Sequence, residues 1–298
     1  MWARGLMRDL GTLPGGEVSR AIKVNGRGQV VGLSTTEPGQ ELGQPGTHAF
    51  LWEGGVMRDL GTLPGGQVSR ANGVNATGQV VGFSDSAEGT RATLWEQGRI
   101  VDLGVPPGFA ASVAISLADD GRVVGYAGES TAAGPGSHAV MWDHGRIVDL
   151  GVLPGTDRSA AFGINGLGQI VGHGAQAPGT HALLWEGGVL RDLGLPAGFV
   201  TSAANKINRT GQVVGNALVG ASPPAGPPAH GFLWQQGTWL DLNDLIRAEP
   251  GVELRGAGDI NEAGQIIGPG ATGGRIHAFL LTPLAPGGLP RTGGAGAA

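Results

Sequence analysis

The sequence predicts an all-β chain, a six-bladed β-propeller of four-stranded antiparallel blades, closed by pairing of its N-terminal strand with the C-terminal blade. Three observations carry that expectation. A strand ending in Trp recurs along the chain, each interval holds four short strands, and the two ends carry complementary halves of one repeat.

The most regular copy is His48 to Ser84, HAFLWEGGVMRDLGTLPGGQVSRANGVNATGQVVGFS. His48 to Trp52 is short, apolar and aromatic, as a half-buried strand is. Glu53-Gly54-Gly55 supplies the positive φ of a tight hairpin. Val56 to Leu60 alternates apolar with polar at the strand period of two. Gly61 to Gly66 cannot continue a strand, because Pro64 lacks a donor and the glycines favour turns, so it reads as a crossing. Ser69 to Asn75 is a third strand, Asn75 to Gly78 a hairpin turn, and Gln79 to Phe83 a fourth strand. No window has the helical period, so no helix longer than one turn is expected.

The Trp recurs at Trp2, Trp52, Trp95, Trp142, Trp185 and Trp234, with Leu281 in the seventh place, at intervals of 50, 43, 47, 43, 49 and 47 residues. Units of this length suit a propeller blade better than a β-helix coil. The chain opens on Leu6 to Leu10 without the HAF half of its repeat and runs through His277 to Leu281 without the strand that follows elsewhere. Joining the halves leaves only short outer edges exposed. Residues 1–282 are therefore read as one propeller domain and 283–298 as a flexible Pro/Gly/Ala tail.

Insertions fall between the GQVVG strand and the HAF strand: Thr35 to Thr47, Ser130 to Ser137 and Ala221 to Ala229. Loops joining the same strand pair emerge on one face, and variable loops on a rigid scaffold carry binding. The GTLPGG crossings stay nearly constant.

Composition excludes several classes. The net charge is −5 and the only lysines are Lys23 and Lys206, which leaves no basic face for nucleic acid. No apolar run approaches the roughly 18 residues of a membrane span, and Met1 already sits inside a repeat, so no signal peptide is read. The absence of cysteine removes disulfides and thiolate metal sites.

The series His48-Ala49-Phe50-Leu51-Trp52, Arg58-Asp59-Leu60-Gly61 and Gly78-Gln79-Val80-Val81-Gly82, copied along residues 1–282, resembles the HAF-family extracellular repeat. The resemblance implies a secreted or surface-displayed bacterial protein and brings no established activity. Leu289-Pro290-Arg291-Thr292-Gly293 looks like the LPXTG signal that sortases cleave between Thr and Gly before joining the Thr to the cell wall. An extracellular, cell-wall-attached location is expected, with the signal peptide and membrane span lying outside this chain.

No catalytic, cofactor-binding or metal-ligating set is recognised. His48, His138, His181, His230 and His277 fall one per blade, too far apart for one ion, and read as hydrogen-bonding structural groups. Asp9, Asp59, Asp102, Asp149, Asp192 and Asp241 read as turn or strand-end braces rather than a six-carboxylate site. Asp119-Asp120-Gly121 reads as a hairpin turn before a calcium site.

In the SRANGVN strands, Ala21, Ala71, Ala114, Ala161, Ala204 and Ala257 form one expected core column, and Val24, Val74, Leu117, Ile164, Ile207 and Ile260 another. The columns between them vary and are often polar: Arg20, Lys23, Arg70, Asn72, Ser116, Asn205, Lys206 and Asp259. If this strand is innermost, they line the channel, either as solvated groups or as a site for a glycan, peptide or small molecule. The leading reading is a monomeric binding or scaffolding propeller with an unknown surface ligand and a sortase as processing partner. The alternative is a propeller hydrolase or lyase working in the same channel, which a single acid, Asp259, disfavours. A cytoplasmic interaction ring is a third class.

Overall fold

The computed structural model describes residues 2–3, 6–176, 179–220, 229–246 and 251–283. The chain is all-β, with six four-stranded antiparallel sheets, and its fold class is the six-bladed β-propeller. It forms two compact units, Met1–Gly151 and Val152–Ala298.

The first unit opens on a hairpin, β1 (Trp2–Ala3) and β2 (Leu6–Met7), and continues with three sheets. These are β3 (Ser19–Val24), β4 (Val30–Thr35), β5 (Thr47–Glu53) and β6 (Val56–Gly61); β7 (Ser69–Val74), β8 (Val80–Ser86), β9 (Gly89–Glu96) and β10 (Arg99–Asp102); and β11 (Ala111–Leu117), β12 (Val123–Gly128), β13 (His138–Asp143) and β14 (Arg146–Asp149). Each sheet runs in sequence order, so a sheet begins at the SRANGVN strand and ends at the RDL strand.

The second unit repeats the plan in β15 (Ser159–Ile164), β16 (Ile170–Gln176), β17 (Gly179–Glu186) and β18 (Val189–Gly194), then β19 (Phe199–Ile207), β20 (Val213–Val219), β21 (Ala229–Gln235) and β22 (Thr238–Asp241). A single helical turn, α1 (Leu242–Leu245), follows inside the longer sixth crossing. The last sheet holds β23 (Val252–Leu254), β24 (Asp259–Ile260), β25 (Ile266–Thr272) and β26 (Arg275–Leu281). Here β23 and β24 both pair with β25, on the edge opposite β26, as two pieces of one interrupted first strand.

Each first strand of the five regular sheets carries a register shift at the same column, leaving Ile22, Asn72, Ile115, Phe162 and Asn205 as bulge residues. The bulge explains the glycine of VVG. A Cβ on Gly82 would stand 1.8 Å from the Arg70 carbonyl, and Gly32, Gly125, Gly172 and Gly215 face the same obstruction.

Cores lie between sheets. Val31 and Ala49 of the first sheet pack on Ala71, Val74, Val80 and Trp95 of the second, and Val81 and Ala92 of the second on Ala114, Leu117 and Trp142 of the third. In the second unit Val171, Ala182 and Leu184 pack on Ala204, Ile207 and Phe232, and Val214 and Leu233 on Leu254, Ala257 and Ile260. Within each unit first strands of adjacent sheets touch one another, while the fourth strands are the exposed ones, which makes the SRANGVN strand the inner one.

In the strand ladders β26 is hydrogen-bonded to β25, and β2 to its local hairpin partner β1. The segment after β2 occupies a fourth-strand position against the first sheet: Leu10 packs with Phe50 and Trp52, as Leu60 packs with Trp95, and the Arg8 guanidinium lies 5.1 Å from the Trp52 ring. One expectation is corrected: Ala21 and Val24 are exposed rather than core. Val24 is 55% exposed against 7% for Val74, which packs in the core between the first and second sheets.

No helix among the described residues is long and apolar enough to cross a membrane. The sorting-signal-like Leu289 to Gly293 and most of the Ala221 to Ala229 insertion lie outside the described residues.

Candidate binding site

Three repeated sets of polar side chains hold the sheets, and each is satisfied. The first joins the two columns that the sequence left separate. Nδ1 of His48 lies 2.8 Å from Asp59 Oδ2, and His138–Asp149, His181–Asp192 and His230–Asp241 repeat the pair. The other carboxylate oxygen accepts the amide two residues on, Gly61 for Asp59 at 2.7 Å, where Gly61 turns the chain at φ 71°. The Asp is thus the strand-end brace expected, and the His bonds that brace across the β5–β6 ladder. The Asp59 hydrogen bond and charge raise the His48 pKa against the opposing effect of burial. Burial opposes ionisation of Asp59, but the His48 and Gly61 hydrogen bonds outweigh it and hold the carboxyl below its usual range.

The second set is serine, which sequence reading passed over. Buried Ser69 accepts the Ala49 amide at 2.9 Å and donates to the Gly61 carbonyl at 2.7 Å, tying a first strand to the third strand and crossing of the sheet before it. Ser112 and Ser202 do the same.

The third set is the Asn of the NATG turn. Asn75 Oδ1 accepts the Thr77 and Gln79 amides, while Nδ2 donates to Gln79 Oε1 and to the Ala118 carbonyl of the next sheet. Gln79 passes the chain on to Glu96. Asn25, Asn165 and Asn208 repeat the bond to the following sheet. In the third sheet Ala118 keeps the same backbone turn, and Asp120 Oδ1 accepts the Arg122 amide in place of the missing Asn. The hairpin expected at Asp119-Asp120-Gly121 therefore forms. Asp119 caps the Ala76 amide and Asp120 holds the Arg122 guanidinium. Asp119 and Asp120 border a cavity of about 330 Å³ with Thr77, Gln79 and Glu96. No cluster of three or more His, Cys, Asp or Glu suited to a metal ion is present among the described residues.

The eight candidate residues divide differently from their sequence columns. Asn72 and Asn205 are bulge residues whose amides donate to the Ala114 and Ala257 carbonyls of the next first strand, at 2.8 and 2.9 Å, so both bind sheet to sheet. Lys23, Ser116, Lys206 and Asp259 share one column nearer the NATG turns, and Ser116 is buried there. Arg20 and Arg70 stand at the opposite, insertion-side end of the first strands, paired in register with Leu33 and Phe83.

Neither of these two guanidiniums has a hydrogen bond or ion pair among the described residues, and Arg70 Nε is buried without a partner. Burial lowers the Arg70 pKa, and the nearby Arg20 charge adds to the effect. Tyr126, in the same column as Phe83, lies within electrostatic reach of Arg70. Burial raises the pKa of its hydroxyl, which donates at 2.6 Å to the Thr131 carbonyl in the 129–137 loop.

The second unit has its own unpaired group. His173 stacks on bulge residue Phe162, with centroids 5.0 Å apart and planes at 24°. Burial takes its pKa down to about 4, with the Arg158 charge acting the same way, and Arg158 Nε is also buried without a partner. Sequence reading missed Tyr126, His173, Phe162 and Arg158. Tyr126 and His173 occupy a column filled by Phe83 in the regular copy. The signal available was their departure from it.

The insertion and crossing loops share one end of the sheets. In the 36–46 loop Thr36 bonds Gly46, Gly46 bonds Gln67 of the following crossing, and Thr47 bridges Val68. The constant crossings therefore form the floor of the insertion face.

No family model and no curated protein matches the chain. Among solved structures it is similar to Pyrococcus horikoshii acylaminoacyl peptidase, in an orthorhombic crystal form, at 16% identity and a TM-score of 0.48. The match covers 76% of this chain, which spans 38% of that peptidase chain.

Proposed function

We propose that the chain is a binding or scaffolding propeller of a secreted or surface-displayed bacterial protein, with its ligand site at the insertion-side end of the inner strands. The observation that carries this reading is the contrast in polar satisfaction. The braces, serines and Asn–Gln turns consume their own hydrogen-bonding capacity, whereas Arg20 and Arg70 in the first unit, and separately Arg158 in the second, have capacity left over. Buried donors without partners are rare in folded proteins and point to a group supplied from outside. The HAF-type repeats support an extracellular setting, and Leu289 to Gly293 supports attachment to the wall.

A glycan, peptide and metabolite array probed with the purified chain tests the reading. Bound ligands should be lost on substitution at the insertion face and retained on substitution at the exposed fourth-strand faces. An array with no ligand, or one whose ligands map to the fourth strands, removes it. Attachment is tested separately: a sortase with a glycine-led nucleophile should release Gly293 to Ala298 and join the nucleophile to Thr292. An intact chain after that treatment returns residues 283–298 to plain linker.

A further inference from the structure

We infer that Arg20 and Arg70 form a two-guanidinium receptor for an oxyanion group, the carboxylate or phosphate of a ligand reaching the insertion face of the first unit. The inference rests on the binding reading above and names the chemistry of its ligand.

The argument begins with what the two side chains lack. Several other arginines are matched to carboxylates: Arg122 to Asp120 at 2.6 Å, Arg255 to Glu253 at 3.1 Å, and Arg91 to Glu88 and Asp102. Arg20 and Arg70 occupy equivalent positions of adjacent first strands, near enough for the Arg20 charge to act on Arg70. The charged and titratable groups acting on Arg70 are Arg20 and the neutral Tyr126 hydroxyl, with no carboxylate among them.

The nearby acids are engaged elsewhere. Asp85 Oδ1 accepts the Gln67 and Val68 amides, and Glu17 accepts the Gly39 amide. Burying part of a guanidinium beside a second cation is unfavourable without an anion between them. One oxyanion restores the balance, because its oxygens accept from both forks at once, and the guanidinium fork suits carboxylate and phosphate alike.

The setting adds selectivity. Phe83 and Tyr126 stand on the neighbouring second strands, and the 129–137 loop is tied down through the Tyr126–Thr131 bond. A small acidic group with an apolar or ring-shaped body therefore fits better than a bare ion. The second unit has no such pair, because the equivalent positions are Ala160 and Ala203.

Calorimetric titration of the full chain at low chloride, with D-glucuronate in one arm and inorganic phosphate in the other, tests the inference. Saturable binding of at least one probe is expected, and the stronger arm tells a carboxylate source from a phosphoryl one. The Arg20→Gln/Arg70→Gln double variant should weaken it about tenfold or more, as loss of charge-assisted hydrogen bonds does. Arg70→Lys, which keeps the charge and loses the fork, should weaken it less. If the double variant does not fold, Arg20→Gln alone, at an exposed position, should still weaken binding. No binding of either probe, or affinity unchanged in a folded variant, overturns the receptor. An array ligand that the double variant still binds overturns the receptor alone and leaves the binding reading standing.

Discussion

The outer and inner halves of these sheets treat polar side chains in opposite ways. On the third and fourth strands, His48 meets Asp59 and the pair recurs at His138, His181 and His230 with nearly the same geometry. On the second strand of the fourth sheet, His173 lies against Phe162 with no hydrogen-bond partner among the described residues. One imidazole is pushed towards the charged form and the other is held neutral. The repeated His–Asp pairs are mutually satisfied, whereas Arg70 and His173 stand where the copies diverge. The framework explains the repeats, and the divergent inner positions are where function is to be sought.

The contrast is broken most severely at the turn staple. Asn208 is buried, donates to Gln212 and to the Asn261 carbonyl, and accepts the Thr210 and Gln212 amides. Asn208→Ala strands several buried groups at once and should cost about 3–5 kcal/mol, read as a lowered urea midpoint. The chain already contains a repair. The third sheet has Ala118 with Asp120 two residues later, and Asp120 takes the amide bond. Adding Thr210→Asp to Asn208→Ala should therefore recover part of the loss. Arg70→Met, which removes an unpaired buried charge, should be neutral or stabilising. Equal losses at Arg70 and Asn208 would abolish the distinction between framework and site.

The next test uses pH. The His173 pKa is about 4 in the folded chain, below the roughly 6.5 of an unfolded histidine. The unfolded state then binds more protons between those values, so stability rises with pH across that window and is fully present above it. His173→Phe keeps the stack on Phe162 and removes the titration. Relative to the parent, it should gain at most about 2 kcal/mol at pH 5 beyond any difference at pH 8. A parent with a flat stability profile from pH 4.5 to 7 would place His173 in water.

The fold was legible because the repeat states it six times. Trp52, Trp95, Trp142 and Trp185 are all buried, and the strands begin and end within a few residues of where alternation and turns put them. The site was legible only in part. Arg20 and Arg70 stand out as polar residues in a varying column, yet Asn72 and Asn205 look the same in sequence and are structural. A bulge at that column breaks the period of two, so side-chain direction after Ala71 or Ala204 cannot be counted from the strand pattern. The His–Asp pairing was hidden for a simpler reason. The partners sit 11 residues apart on two strands, and each column alone resembles a solitary structural residue.

The smallest expected effect is at an altered outer brace. In the second sheet Arg91 replaces the histidine. Its Nε lies 3.9 Å from Asp102, and its other contacts are to the Thr90 and Ala110 carbonyls and Glu88. Arg91 pairs in register with Ser84 as His48 pairs with Ser34, so Arg91→His puts an imidazole where the brace expects one. That imidazole should bond Asp102, whose other oxygen already accepts the Gly104 amide at 2.7 Å. Its pKa should rise above about 6.5, as at His48, with Asp102 as the cause. A raised histidine contributes stability that is fully present below the unfolded pKa and is lost as pH rises through the folded one. Because Asp102 is largely exposed, the contribution should stay below about 1 kcal/mol. An NMR titration of the Arg91→His ring reads the pKa directly, and denaturation at pH 5.5 and 8.5 reads the linked stability. A pKa at or below the ordinary value would mean that the brace depends on more of its sheet than the His and Asp themselves.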